Sequence, residues 1–214
     1  MASPPLFLFD YDGTLVDSFA VFKACLNDAL ATQGLPALQE DEAFLGLFDG
    51  NMASGLDALG LARNQAPALW AELGSRLAQS QDQAPFFPGI PELLRQLAGR
   101  ARVAVVTSNV SDVVRGKLAT AGLLDLVLDV VGSDVEPSKV RKIQRFQELS
   151  PPGTAVHYVG DTLGDMREGR EAGAITVGVA WGWHPPERLQ AAAPDTIAET
   201  PADILALAKE HQGT

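Results

Sequence analysis

Three polar clusters, each at the end of an apolar run, and one lysine carry the chemistry this sequence could do. The first is Asp10-Tyr11-Asp12-Gly13-Thr14-Leu15-Val16-Asp17-Ser18, directly after Leu6 to Phe9. Two carboxylates two residues apart can aim at one point if the chain turns, and Gly13 lets it turn without a Cβ penalty. Crowded carboxylates repel unless a cation joins them. Hard oxygen donors favour Mg²⁺, which keeps waters or phosphate oxygens in its shell. A simple acidic turn is the alternative. The second cluster is Gly160-Asp161-Thr162-Leu163-Gly164-Asp165. Asp161 and Asp165, four apart, would share a face of a starting helix, although capping by Asp161 with Asp165 in the first turn explains the same residues. The third is Thr107-Ser108-Asn109, followed by Ser111 and Asp112. Hydroxyls and free backbone N–H groups before a helix suit a phosphate oxygen, although taken alone they read first as a helix cap. Last, Lys139 opens a helix in Pro137-Ser138-Lys139-Val140, with Lys142 three residues on. Most lysines are solvated surface.

These residues need a scaffold that brings them together. Leu6 to Phe9, Arg102 to Val106, Ala155 to Val159 and Ile175 to Ala180 are short apolar runs that read as strands buried on both faces, and Leu126 to Val131 is a weaker one. Between them lie helical patterns at Pro91 to Leu97, Ser111 to Ala121 (with Ser111 as its cap), Ser138 to Leu149, Leu163 to Ala172 and Pro201 to Glu210. This alternation predicts an α/β fold with a Rossmann-like parallel sheet and helices on both faces. Ligands then bind outside the carboxyl ends of the strands. One stretch of roughly 65 residues, Asp17 to Ala84, breaks the rhythm and is too long for an ordinary connection. Phe19, Phe22, Leu26 and Leu30, then Leu56, Leu59 and Leu61, then Leu69, Leu73 and Leu77, have helical spacing. The expected organisation is therefore an α/β core of residues 1–16 and 85–214, with a small all-helical insert, 17–84, after the first strand.

Composition excludes several classes. With 16 basic against 27 acidic residues the net charge is −11, which argues against coating a nucleic acid. No apolar run approaches the roughly 18 residues that cross a bilayer, and the N-terminus does not read as a secretory signal. The single Cys25 fits a reducing compartment and points to the cytoplasm. Both a monomer and a homodimer are compatible with the chain. Among the histidines, His157 reads as packed within a strand, His184 as surface loop, and His211 carries no signal.

The order acid pair, hydroxyl, lysine, acid pair resembles the haloacid dehalogenase superfamily over nearly the full length. Asp10 to Thr14 resembles its nucleophile motif, Val105-Val106-Thr107-Ser108 its second motif, Lys139 its third, and Asp161 with Asp165 its fourth. The look is closest to the phosphoglycolate phosphatase-like branch. Phe87-Pro88-Gly89-Ile90-Pro91-Glu92-Leu93-Leu94 resembles the return from the cap, and Trp181-Gly182-Trp183 and Pro194-Asp195-Thr196-Ile197 resemble its C-terminal turns. Where many relatives have Lys-Pro in the third motif this chain has Ser138-Lys139-Val140, so Lys139 is chosen over Lys142 on its spacing to Asp161.

The resemblance implies a phosphatase acting on a small-molecule phosphate ester through an aspartyl-phosphate. Asp10 would be the nucleophile and Asp12 the general acid and base. Mg²⁺ would be held by Asp10, the Asp12 backbone carbonyl and Asp161, with Asp165 as a ligand or neighbour. Thr107, Ser108, Asn109 and Lys139 would hold the phosphoryl oxygens. A phosphomutase is the near alternative, separated by whether free phosphate is released. A dehalogenase needs neither a metal nor an acid at Asp12. A phospho-accepting signalling module would lack the long insert. Between Ser18 and Ala62 the only basic residue is Lys23, thin provision for a substrate carboxylate. Phe19, Phe22, Asn27, Phe44, Phe48 and Asn51 could instead meet a neutral or aromatic group, or form the cap's core.

Overall fold

Uninterrupted apolar runs can be buried on both faces, and they supply the central strands of a six-stranded parallel sheet in the computed structural model, which describes residues 3–50, 52–58, 60–80 and 83–210. The strands are β1 (Leu6–Phe9), β2 (Arg102–Val106), β3 (Val130–Val131), β4 (Val156–Gly160), β5 (Ile175–Val179) and β6 (Thr196–Ala198). Their order is β3-β2-β1-β4-β5-β6. Phe9, the last residue of β1, lies between Val105 and Val159. The strand order reverses at β1 and β4, so the carboxyl ends of β1, β2 and β4 face one crevice.

Alternation along β1 divides the core. Phe7 and Phe9 pack with Leu93 and Leu94 of α5 (Ile90–Leu97), Val114 and Leu118 of α6 (Ser111–Thr120) and Ile204 of α10 (Pro201–Glu210). Leu6 and Leu8 pack on the other face with Ile143 and Phe146 of α7 (Lys139–Glu148). Helix α8 (Leu163–Glu171) follows β4, and α9 (Pro186–Gln190) follows β5.

Between β1 and α5 run four helices, α1 (Phe19–Thr32), α2 (Asp41–Leu45), α3 (Met52–Ala58) and α4 (Ala66–Ser80). They enclose a separate apolar cluster that includes Leu26, Leu30, Phe44, Leu56, Leu69 and Leu73. Trp183, from the β5–α9 loop, joins it. Chain exit and return are clamped side by side: the Asp17 N–H donates to the Pro85 carbonyl (2.8 Å) and the Phe87 N–H to that of Leu15 (3.0 Å).

Several local expectations need correction. The strand expected over Leu126 to Val131 forms only at Val130–Val131, because Leu124–Leu126 coils into a 3₁₀ turn and Leu128 is 53% exposed. Ser111 does not cap α6. Val110 takes that position, and the Ser111 hydroxyl donates to Asp134 (2.9 Å). Thr196 and Ile197, expected in a turn, lie in the edge strand β6. Leu59, Asn51 and His211 lie outside the described residues. No helix among the described residues is long and apolar enough to cross a membrane.

Candidate active site

The chain leaves β1 in a tight turn that sets the first acidic pair. The N–H groups of Leu15 and Val16 both donate to the Tyr11 carbonyl, at 2.9 and 3.1 Å, and that of Gly13 to Val16 (3.0 Å). Gly13 has φ +77°, and a Cβ there would collide with the Asp161 carboxylate; only glycine satisfies both demands. Thr14 is then placed so that its hydroxyl donates to Asp161 Oδ1 (2.8 Å). Asp10 and Asp12 part company. Asp10 is buried at the strand end, while Asp12 is half-buried and accepts from Asn109 Nδ2 (3.0 Å).

The β4 end supplies the second pair. Asp161 Oδ2 accepts from the Trp183 N–H (2.9 Å), so both of its oxygens are held. Thr162, not Asp161, caps α8, in a capping box with Asp165. Asp165 Oδ1 accepts from Lys139 Nζ (2.6 Å) and the Tyr158 hydroxyl (2.8 Å). Its Oδ2 accepts from the Thr162 N–H (3.1 Å) and hydroxyl (2.6 Å). Asp165 therefore completes the helix cap and anchors the lysine at once.

Lys139 is the first residue of α7, where the helix dipole disfavours a cation. Two carboxylates hold it there, since its Nζ also donates to Asp10 Oδ2 (2.9 Å). Lys142 does not reach the acids; its Nζ donates to the Thr107 carbonyl. The Thr107 hydroxyl accepts from the Asn109 N–H (2.9 Å). Thr107, Ser108 and Asn109 all line the same cavity as Asp10, Asp12, Lys139 and Asp165.

The electrostatics follow from burial. Loss of water raises the Asp10 carboxyl to about 7 against the opposing pull of Lys139. Burial, then repulsion from Asp165 and Asp10, lifts Asp161 well above the carboxylate range. Burial also raises Asp12, with the Asn109 hydrogen bond opposing. Burial acts the same way on Asp165, but Lys139, Thr162 and Tyr158 outweigh it and hold that carboxyl below its ordinary value. Burial would lower Lys139, yet Asp10 and Asp165 keep it charged, well above the usual ammonium range. Lys142 falls to about 8 through burial and the neighbouring Lys139 charge.

Oxygens of Asp10, Asp161 and Asp165, all buried, lie within 4.8 Å of one another. Two of these carboxylates share the Lys139 ammonium and, among the described residues, Asp161 pairs with no cation, a charge imbalance that an additional cation would relieve. An all-oxygen donor set of this size suits Mg²⁺. Asp10 Oδ1 carries no hydrogen bond among the described residues.

Other expectations separate here. Phe22 and Phe48 line the cavity, whereas Phe19 and Phe44 do not line it; they pack edge to face at 5.2 Å in the helical cluster. Asn27 is held by the Leu38 backbone (2.7 and 3.2 Å). His157 stacks on Phe7 at 4.5 Å. His184 is not surface loop. It is fully buried, with Nδ1 accepting from the Leu163 N–H (3.0 Å) and Nε2 3.0 Å from the Leu45 carbonyl. The sequence reading missed Met52, Trp70, Glu168 and the inward role of Trp183, which also line the cavity. For Trp183 the available signal was a large apolar residue in the loop that follows a strand.

A family model described as haloacid dehalogenase-like hydrolase matches residues 7–179. The chain is 31% identical over 201 residues to a protein named phosphoglycolate phosphatase from Synechococcus elongatus, covering 92% of this chain and 94% of that one. It is 30% identical over 216 residues to the "Probable phosphatase IndB" of Dickeya dadantii, covering 95% and 93%. Among solved structures, a hydrolase of the haloacid dehalogenase-like family from Streptococcus pneumoniae matches with a TM-score of 0.79 at 25% identity, over 95% of this chain and 97% of that one.

Proposed function

The chain belongs to the haloacid dehalogenase-like hydrolase family and is a phosphatase, and from that premise we propose that it hydrolyses a small-molecule phosphate monoester through an aspartyl-phosphate on Asp10. The observation that carries this reading is the meeting of Asp10, Lys139, Asp161 and Asp165 beside a cavity that also holds Asp12 and Thr107.

Asp10 attacks phosphorus through the oxygen that Lys139 leaves unbonded, and the bond to the leaving oxygen breaks. Asp12 gives its proton to that oxygen; a carboxyl raised by burial keeps a proton available for the purpose. In the second half Asp12 takes a proton from water, which attacks the phosphorus and frees Asp10 and orthophosphate. The Thr107 hydroxyl, Ser108, Asn109 and Lys139 hold the equatorial oxygens, so positioning and charge stabilisation carry the barrier reduction. Asp10 and Asp161, with the Asp12 carbonyl, would hold Mg²⁺. When bound it neutralises the repulsion between the phosphate and Asp10. Asp165 already accepts four hydrogen bonds, about the capacity of a carboxylate. Its role here is to fix Lys139. Residues 17–84 act as a cap that keeps bulk water from the leaving group.

The similarly close relatives carry different phosphatase names, so the ester is a separate question. The lone Cys25, free and buried, supports a cytoplasmic setting. The test is orthophosphate release from a panel of monoesters with Mg²⁺ present, for the wild type and Asp10→Asn. The wild type should release free phosphate and the variant none. Wild-type turnover in Asp10→Asn would move the nucleophile elsewhere, and phosphate returned to the product would make the enzyme a mutase.

A further inference from the structure

The cavity of about 410 Å³ beside Asp10 has two unlike ends. At the strand ends it is polar, with Asp10, Asp12, Thr107, Asn109 and Lys139. On the helical side its walls are Phe22, Phe48, Met52, Trp70, Leu73 and Leu77, and Trp183 reaches the same wall from the core. Among the described residues, Lys139 is the only cation lining it, and that ammonium already holds Asp10 and Asp165.

The basic residues of the helical segment are committed elsewhere or lie off the cavity. Lys23 donates to the Gln39 carbonyl and pairs with Asp41 (2.6 Å). Arg76 pairs with Glu72 (2.6 Å) and Asp28 (2.8 Å). Arg63, the remaining one, does not line the cavity. A leaving group ending in a carboxylate would therefore lose its water against ring faces and alkyl chains without a cation to meet it. It would also share the space with Glu168, whose own carboxyl burial pushes up to about 7. Burying a charge without a partner is strongly unfavourable. An aromatic or alkyl group meets the opposite conditions. Phe48 and Trp183 stand edge to face at 4.8 Å, and Phe22 and Trp183 at 5.3 Å; another ring can join such an array.

Building on the phosphatase reading, we propose that the leaving group is an uncharged apolar or aromatic alcohol, and that the walls discriminate against carboxylate-bearing esters such as phosphoglycolate. The walls set the selectivity and the strand-end residues supply the chemistry.

The test compares benzyl phosphate, 4-carboxybenzyl phosphate and phosphoglycolate as substrates with Mg²⁺. The first two share a leaving-group chemistry and differ by one carboxylate. Benzyl phosphate should exceed both others in kcat/KM by about 100-fold, the scale of an unpaired buried charge. Equal or better use of phosphoglycolate overturns the inference. If no ester is hydrolysed, the phosphatase reading fails, and binding of benzylphosphonate against phosphonoacetate by calorimetry still decides the cavity's preference. Tighter phosphonoacetate binding would overturn it. Met52→Arg, which places a cation in the apolar wall, should shift the ratio of the two kcat/KM values towards phosphoglycolate by about tenfold. Trp70→Ala, on a different helix, should lower kcat/KM for benzyl phosphate by a larger factor than for phosphoglycolate, narrowing the ratio between them. An unchanged preference in both folded variants refutes the role of the walls.

Discussion

Replacing Lys139 by Met keeps a stem of similar length and deletes the ammonium that pairs with the buried Asp10 and Asp165. The side chains of Lys139, Asp10 and Asp165 are 9%, 8% and 1% exposed, with contacts at 2.9 and 2.6 Å. At an effective dielectric of about 20, each contact carries a gross attraction on the order of 6 kcal/mol. Dehydration costs several kcal/mol per ion and offsets much of that. Deleting the cation leaves the dehydration in place without the attraction, a loss of about 3–5 kcal/mol near neutral pH. The pH dependence makes the test specific. Burial alone would raise Asp165, and it is Lys139, with Thr162 and Tyr158, that reverses the shift. A carboxyl with a lowered native value contributes stability above its unfolded value and loses it as pH falls. Without Lys139, Asp165 rises and holds its proton in the native state, so stability falls as pH rises. One extra native proton is worth ~1.4 kcal/mol per pH unit, or up to about 3 kcal/mol between pH 5 and 7.5. Urea unfolding of wild type and Lys139→Met at the two pH values measures this. A penalty that is the same at both, or smaller at the higher pH, refutes the electrostatic account. Phosphatase activity should be lost at either pH.

Metal-free protein should lose stability as pH rises from about 4 to 7, because the native Asp10 carboxyl, raised by burial to about 7, keeps a proton that the unfolded chain releases near 3.8. Millimolar Mg²⁺ should flatten that slope in urea titrations, and EDTA should abolish turnover until Mg²⁺ is returned; a slope indifferent to Mg²⁺ counts against the carboxylate site. Gly164→Ala should lower kcat/KM by about tenfold or more with a stability cost of ~1–3 kcal/mol, since its Cβ would lie 2.6 Å from the Gly50 carbonyl and 2.9 Å from that of Phe48. Unchanged kinetics would show that this approach of helical segment to core does not matter for turnover. Arg188→Ala removes pairs to Asp49 (2.8 Å) and the exposed Glu42 (2.7 Å), and should cost less than about 1 kcal/mol in thermal unfolding, less still in high salt; a larger, salt-independent loss would contradict a surface latch.

How much was legible depended on which forces a segment answers to. Strands β1 and β2 were read to the residue because a strand buried on both faces leaves a continuous apolar run. Strand β3 was overextended because the apolar residues at 126–128 serve a turn and an exposed edge. Strand β6, with three residues at the sheet edge, leaves too short a pattern to separate from a turn. At the site, residue types and spacing marked Asp10, Asp12, Thr107, Asp161 and Asp165 as candidates beside capping and turn readings, and the family resemblance joined them. Lys139 was chosen over Lys142 on spacing to Asp161 alone, since the two are three residues apart on one helix and both are buried. Only the three-dimensional placement sends one ammonium to carboxylates and the other to the Thr107 carbonyl. His184 was misread because the stabilising partners of its ring are backbone groups of Leu163 and Leu45, which no side-chain pattern announces.

The site departs from what stability alone would favour, and the departures share one direction. A cation opens α7 where the dipole repels it. Asp161 is buried beside two like charges. A turn depends on a left-handed Gly13, and an aromatic-walled cavity is left inside a protein whose interior otherwise closes over apolar residues. Each feature costs folding free energy; the crowded acids leave the pocket short of positive charge, and the cavity leaves space unfilled. On the proposed function, a divalent ion would supply that charge and a phosphate ester would fill the space. With a net charge of −11, the protein gives an anionic substrate no attraction at long range. Capture then depends on this local deficit, and substrate affinity should depend on metal occupancy more steeply than on ionic strength.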